Sequence, residues 1–443
     1  MQIQKLRNII ESIKEKDDGS KVIVAYSGGL DSTVLLHLLV KNRGMFDAQI
    51  RAIHINHSLQ QPSDGWAEHC RDFCRAIDVP LQVVKLDIKP QAGESMEIAA
   101  RNARYSVFEE NLKDGGFICM AHHANDQVET FFQRLMRGSG VKGLTAIPQT
   151  RRLGNGHIFR PLLEVSRNDL HKYAVAYNLN WIEDPSNKHN CHDRNLIRNE
   201  IIPQLEQRWP SLSKTIARTV SHCNEAQEIL EEVAAADLSD CSEGGLISLQ
   251  KLSRFSEKRQ KNLLRYWIDQ RQMLPPEAAM LEDGLANLKS AAEDKNPQLL
   301  WEYGVIRRYR GRLYLSGQKE APQILEREWD LREDLCLSGI GRLYMEKTQK
   351  GEVGINPYRI ADMQIRVAFR QGGEKCRLYG RNGSHSLKKI FQEQGVPPWQ
   401  REILPLLYVG ENIVCVTNCC YCQPYAEKDN LGGRFYNIKI EWS

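Results

Sequence analysis

No apolar run in the 443-residue chain approaches the roughly 18 residues a membrane-spanning helix needs. The longest candidate, Val34–Val40, is short and interrupted by His37. The N-terminal stretch MQIQKLRNIIESIKEK is charged and has no apolar core of a secretory signal, so the expected location is the cytoplasm. Twelve cysteines, spread from Cys70 to Cys422, are too sparse for the disulfide framework of a small secreted domain. An excess of one sign of charge is nearly missing as well: 60 Lys+Arg face 56 Asp+Glu, a formal net charge of +4. Internal repeats and low-complexity tracts are absent, which excludes solenoids and linker-like chains.

What is present is an ordinary globular composition, 41% hydrophobic and 26% charged, which argues against wholesale disorder. At roughly 100–200 residues per domain, the length predicts two to four domains. The small net charge hides an uneven distribution. Residues 133–172 carry eight Lys/Arg against two acids, and residues 366–401 again eight against two. Residues 223–245 hold seven acids and no Lys or Arg. Two basic segments set off by an acidic one fit a polyanion-binding face, although solvated surfaces would look the same.

Over the first ~215 residues strands and helices alternate. KVIVAY (Lys21–Tyr26), QIRAIHIN (Gln49–Asn56), LQVVKLD (Leu81–Asp87) and GFICMA (Gly116–Ala121) read as strands. Helical patterns follow them, which predicts a parallel sheet with helices on both faces. Ligands of such sheets bind beyond the C-terminal strand ends, so chemistry is expected just after Tyr26, Ile55 and Ala121. From about Trp209 the pattern becomes mostly helical, with a hairpin over Trp301–Leu315. A third segment of short strands holds one helix, Leu387–Gln394, stopped by Gly395. The expected domains are 1–215, 216–324 and 325–443.

The most informative motif is Ser27-Gly28-Gly29-Leu30-Asp31-Ser32, between strand KVIVAY and helix STVLLHLL. Glycines permit a tight turn and let backbone N–H groups approach an anion, and the helix N-terminus adds partial positive charge. Asp31 can hold Mg²⁺. The Walker A pattern and its lysine are absent. The hexapeptide resembles the PP-loop of the ATP pyrophosphatase superfamily, whose members cut ATP between the α- and β-phosphates.

Further motifs follow the other strands. His54-x-Asn56-His57 comes after the second strand. Glu97, Arg101, Arg104 and Phe108 recur on one helix face, where two arginines could clamp phosphates or neutralise a transition state; a Glu97–Arg101 surface ion pair is the alternative. His122-His123-Ala124-Asn125-Asp126 follows the fourth strand, then Glu129, Arg134, Arg137 and Gly138. Asp126 can cap the helix or act as a second carboxylate opposite Asp31, and either histidine can serve as acid or base. Cys119 reads as a core thiol. Cys415, Cys419, Cys420 and Cys422 offer one C-x-x-C without a second pair for zinc and read as buried strand thiols.

Taken together, these motifs resemble the tRNA(Ile)-lysidine synthetase family nearly end to end. The resemblance extends through Arg160-Pro161-Leu162-Leu163, Trp181-x-Glu183-Asp184-Pro185-Ser186-Asn187 and Arg194-Asn195-x-x-Arg198. It continues through Phe369-Arg370-x-Gly372-Gly373 and Leu387-Lys388-Lys389 to Trp399-x-Arg401. Asn125 departs from the acid many members carry there. The family adenylates O2 of the wobble cytidine of a CAU isoleucine tRNA with ATP. The ε-amine of free lysine then displaces AMP at C2, and members are often homodimers.

The resemblance implies an ATP site at Ser27, Gly28, Gly29, Leu30, Asp31 and Ser32, with Mg²⁺ at Asp31 and Asp126. It implies Asp31, Asp126, Arg101 and Arg104 as catalytic residues. Glu97, His123, Arg137, Arg194 and Arg198 are candidates for lysine or tRNA, and Lys388, Lys389 and Arg401 for a distant part of the tRNA. Three rivals remain: a tRNA thiolase, an amidating PP-loop ligase and an inactive tRNA-binding protein. No C-x-x-C faces the loop and no glutaminase signature is seen. Intact Asp31, Ser32 and Asp126 speak against the third.

Overall fold

The computed structural model describes residues 21–45, 49–56, 63–86, 88, 90, 95–183, 193–292, 295–317, 326–360 and 363–442. Two compact units divide the chain after Leu230.

The first unit is an α/β domain. Strands β1 (Val22–Ala25), β2 (Ile50–Asn56), β3 (Leu81–Lys85) and β4 (Phe117–Cys119) alternate with helices α1 (Leu30–Lys41), α2 (Ser63–Ala76) and α3 (Met96–Asn111). Helix α4 (Ala124–Met136) follows, then strands β5 (Thr150–Leu153) and β6 (Gly156–Phe159), and helix α5 (Arg167–Ala176). The strand order is β3-β2-β1-β4-β6-β5. All neighbours are parallel except β5, which runs antiparallel to β6. Both faces of β1 are buried, as a covered parallel sheet requires. Val22 and Val24 join a core with Leu35, Leu38, Leu170 and Tyr173, whereas Ile23 joins Ile53, Phe108, Leu112 and Ile118.

Reversal of the strand order at β1 positions the site. The chain moves from β1 outward to β2 and β3, then returns to place β4 on the other side of β1. The loops after β1 and β4 therefore diverge, and a crevice opens between them. A later helical run, α6 (Asp193–Leu196), a π-helical turn (Ile197–Ile201) and α7 (Ile202–Arg208), packs against α4. The antiparallel β5–β6 hairpin is not apparent in the sequence pattern, where the Arg151-Arg152 pair masks the alternation.

Helix α8 (Leu212–Cys241) contains the division between the units. In the second unit, α9 (Glu257–Gln270) and α10 (Ala278–Ser290) pack with a five-stranded antiparallel sheet. The sequence-predicted hairpin is its centre: β10 (Gly304–Tyr309) and β11 (Arg312–Gly317) pair across a two-residue turn. The other strands are β7 (Ser242–Glu243), β8 (Leu246–Ser248) and β9 (Gln298–Trp301). Among the described residues the C-terminal part holds two further five-stranded antiparallel sheets, a two-stranded pair and one α-helix, α11 (Leu387–Glu393). Gly395 closes α11 at φ +72°, with Val396 N–H donating back to the Phe391 carbonyl at 2.9 Å. Cys415 and Cys420 are the buried strand thiols expected, but Cys422 is not a free thiol: it forms a disulfide with Cys376, a pairing the sequence pattern does not reveal, and Cys419 is partly exposed in the turn before Cys420. Among the described residues no helix is long and apolar enough to cross a membrane.

Candidate active site

The turn after β1 is built by its own side chains. Ser32 Oγ donates to the Gly29 carbonyl at 3.0 Å, and the Ser27 and Ser32 hydroxyls meet at 3.0 Å. Thr33 Oγ1 adds a bond to the Gly29 carbonyl at 2.9 Å. Gly28 sits at φ +84°, and the Ile182 N–H donates to its carbonyl at 2.9 Å. Gly29 caps α1 without any side-chain bond to the first turn. Donors at that N-terminus therefore face the crevice, where an anion can take them.

The loop after β4 supplies the opposite wall. His123 caps α4 through a reciprocal box: its Nδ1 accepts from Asn125 N–H at 3.2 Å, and Asp126 Oδ2 accepts from His123 N–H at 2.9 Å. Because Nδ1 accepts, the ring proton lies on Nε2. That nitrogen stands 3.6 Å from Asp31 Oδ2 and 3.6 Å from Asp126 Oδ2. Asp31, on the first turn of α1, and Asp126, on the first turn of α4, are thus brought together with His123 between them. Asn125 Oδ1 accepts from the Arg167 N–H at 3.0 Å, which ties the first turn of α4 to the start of α5.

Asp126 is not left open. Its Oδ1 accepts from Arg194 Nη2 at 2.5 Å. Arg194 Nε donates to Glu129 Oε2 at 2.7 Å, and Arg198 Nε donates to Glu129 Oε1 at 2.5 Å. Glu129 is only 1% exposed. The sequence motif contains Glu129 without marking it as functional, although its i, i+3 spacing from Asp126 puts both carboxylates on one face of α4. Arg194 and Arg198, expected as substrate ligands, are anchored on their inner edges by this pair. Their side chains stay 40% and 26% exposed.

Electrostatics separate the two histidines that sequence alone leaves equivalent. Burial, reinforced by the charges of Arg160, Arg194 and Arg104, pushes His122 down to about 4 despite Asp126. His123 is also buried, but its bond to Asp31 and the charges of Asp126, Asp31 and Glu129 outweigh that burial and raise it. Burial would raise Asp126, yet His123 and Arg194 hold it below the usual carboxylate range.

The helix face expected to carry Glu97, Arg101, Arg104 and Phe108 divides by depth. Phe108 is core, Arg104 is half-buried and Arg101 is exposed. The Glu97 side chain, His57 and residues 184–187 lie outside the described residues. Arg137 is exposed at the C-cap of α4. Cys70 packs beside the loop with Sγ 3.4 Å from His54 Nδ1, and burial pushes Cys70, Cys74 and Cys119 up to about 12. These thiols are protonated at neutral pH and poor nucleophiles, contrary to what thiolation would need.

Asp31 Oδ1 is buried and has no hydrogen-bond partner. A carboxylate oxygen left over beside a phosphate cradle fits Mg²⁺, which takes one or two protein carboxylates and completes its shell with phosphates and water. Asp126, its expected partner, already uses both oxygens. Among the described residues no group of three acidic, His or Cys side chains could hold an ion.

In the second unit, Lys388 and Lys389 are exposed on α11, and Lys375 and Arg377, which precede that helix in the chain, are exposed as well. Arg401 is engaged within the protein: Nε donates to the Val396 carbonyl at 2.8 Å and Nη2 to Tyr309 Oη at 3.2 Å.

Comparison with known proteins agrees with this geometry. Residues 1–205 match the PP-loop domain model, residues 247–314 the TilS substrate binding domain, and residues 365–442 the TilS substrate C-terminal domain. A tRNA(Ile)-lysidine synthase of Alkalilimnicola ehrlichii is 42% identical over 89% of this chain and 88% of its own. One of Coxiella burnetii is 38% identical over 98% of this chain and 96% of its own. One of Pseudomonas aeruginosa is 40% identical over 95% and 92%. With a phosphate-binding turn, a paired-acid crevice and this extent of similarity, the chain belongs to the tRNA(Ile)-lysidine synthase family.

Proposed function

We propose that the chain is a carbon–nitrogen ligase. It joins free L-lysine to C2 of the wobble cytidine in the isoleucine tRNA with anticodon CAU, converting ATP to AMP and pyrophosphate. The observation that carries this reading is the Asp31–His123–Asp126 grouping in the β1/β4 crevice, directly beside an uncapped helix N-terminus.

The turn 27–32 binds the ATP phosphates through backbone N–H groups and the α1 N-terminus. Asp31 would hold Mg²⁺ through Oδ1; when bound, the ion neutralises charge on the phosphates. Cytosine O2 attacks the α-phosphorus, and pyrophosphate leaves with the electron pair of the broken P–O bond. The lysine ε-amine then attacks C2, the C2–O2 bond breaks, AMP leaves, and the amine gives up a proton. Adenylation is required because O2 is a poor leaving group on its own. Arg104, half-buried on α3, is the candidate to share the charge of the adenylate.

His123, between Asp31 and Asp126, orients both acids. Arg194 and Arg198 are fixed on their inner edges by Asp126 and Glu129, and their outer edges receive the lysine carboxylate. Lys388 and Lys389 on α11 contact the tRNA, and Arg137, exposed at the end of α4, contacts it from the first unit.

The test is pyrophosphate release with an unmodified CAU isoleucine tRNA, with and without lysine, using a CAU methionine tRNA as decoy. The expected result is turnover only with lysine and the isoleucine tRNA. Turnover indifferent to lysine would remove the lysidine reading. If Arg194→Ala and Arg198→Ala leave the KM for lysine unchanged, their assignment is wrong.

A further inference from the structure

Four arginines gather on one tyrosine in the first unit, and the steps above use only one of them. Arg101 and Arg151 place Cζ 4.9 and 4.8 Å from the Tyr105 ring centroid, and Arg104 lies at 6.0 Å. Arg160 stands beside the same tyrosine and donates from Nη1 to the Pro148 carbonyl at 2.7 Å. Arg160 is only 4% exposed. The Nε atoms of Arg104 and Arg160 are buried without a hydrogen-bond partner. Among the described residues, no carboxylate pairs with any of the four. Gathered cations with buried, unused donors are costly unless an anion completes them.

Sheet topology tells which substrate reaches this place. Cys119 and Phe159 are register partners at the C-terminal ends of β4 and β6, and Thr150 pairs with Phe159. Arg160 follows β6 immediately and Arg151 stands one residue into β5. Both therefore lie at the strand ends where the crevice opens, level with His122 beyond β4. They also lie on the β6–β5 side of the sheet, whereas β2 and β3 flank the phosphate-binding turn on the other side. An anion here is separate from the nucleotide cradle on α1. Arginines stacked on a tyrosine suit a polynucleotide, which brings a phosphate and a base edge together.

We propose that Arg101, Arg104, Arg151 and Arg160, assembled on Tyr105, seat a backbone phosphate of the tRNA beside the cytidine presented to the phosphate-binding turn. This rests on the ligase reading above. The phosphodiester shares its anionic chemistry with the lysine carboxylate and with pyrophosphate, and the experiment separates the three.

Arg151→Gln, Arg151→Lys and Arg152→Gln are compared in the full-length protein. Arg152 points to the opposite face of β5 and is the control. Binding of the isolated anticodon stem-loop is measured by fluorescence anisotropy against salt, and KM for ATP and for lysine by pyrophosphate release. Arg151→Gln is expected to weaken stem-loop binding about fivefold and to lower the log–log salt slope by roughly 0.7–1, the share of one phosphate contact. Arg151→Lys should recover the slope, Arg152→Gln should change neither, and both KM values should stay within about twofold of wild type. A rise in KM for ATP or lysine in place of the binding loss, or equal effects at 151 and 152, overturns the proposal. Wild-type dependence on lysine is read in the same preparations, so failure of the ligase reading appears there and not in the anisotropy series.

Discussion

His122 and His123 show how far two adjacent side chains can diverge. One faces three arginines and stays neutral; the other faces three acids and gains proton affinity. The pH consequences have opposite signs. His122 falls from 6.5 to about 4 on folding, so its contribution is complete above pH 6.5 and is lost as pH drops toward 4. His123 is raised, so its contribution is complete below pH 6.5 and is lost as pH rises through its elevated value. A site-resolved NMR titration should therefore find His123 protonating well before His122 as acid is added. His122→Gln should remove a loss on the order of 2–3 kcal/mol between pH 6.5 and 4. Titration in the reverse order would refute this assignment. At the same scale, Glu129 illustrates what a sequence conceals. Its spacing from Asp126 is visible, but its partners Arg194 and Arg198 lie 65 and 69 residues away, and only tertiary packing makes Glu129 their buried counter-charge.

Elements whose logic is local were the legible ones. The strand–turn–helix around Ser27–Ser32 is readable because a glycine turn and a helix start are set by adjacent residues. The four parallel strands are readable because both their faces are apolar. The Arg194–Glu129 and Arg101–Tyr105–Arg151 groupings were not, because each joins elements distant in the chain. The turn itself allows a sharp comparison. Gly28 lies at φ +84°, and a Cβ there would come 2.7 Å from Ile182 Cδ1 and 2.9 Å from Cys70 Sγ. At Gly29, with φ −74° and ψ 164°, the nearest atom to such a Cβ is Ser27 Oγ at 3.5 Å. Gly28→Ala is thus expected to cost about 2 kcal/mol or more of stability and to lower kcat/KM for ATP at least tenfold. Gly29→Ala should cost less than about 0.5 kcal/mol. Urea unfolding and pyrophosphate release measure the two effects, and equal losses at both positions would contradict the geometry.

For the whole molecule, the question is what fixes the C-terminal lysines to the rest of their compact unit. The β10–β11 turn places Arg310 at φ +48° and Gly311 at φ +69°, the left-handed pair of a tight hairpin turn. From this turn the Arg310 guanidinium donates to the Gln392 carbonyl at the C-terminal end of α11. There it meets the negative end of the helix dipole. Trp399 fills the joint, with its ring 5.4 Å from Tyr314 and 6.2 Å from Tyr309, and Arg307 stacks on it at 5.3 Å. Arg401 closes the same joint through Tyr309 Oη, which is why it is engaged internally while Lys388 and Lys389 remain exposed. Removing residues 325–443 would strip one side of this joint and expose the other, so point substitutions are the cleaner probe. Arg310→Ala and Trp399→Ala should weaken full-length tRNA binding about three- to tenfold, because the lysines of α11 are no longer held in register with the rest of their unit. The KM for ATP should not change, since the nucleotide turn belongs to the first unit. Lys388→Ala/Lys389→Ala should produce a similar binding loss with a reduced salt slope, whereas the joint variants should leave that slope nearly intact. Joint variants that bind tRNA as tightly as wild type would mean α11 is positioned without the hairpin. A parallel rise in KM for ATP would mean the damage is not confined to the second unit.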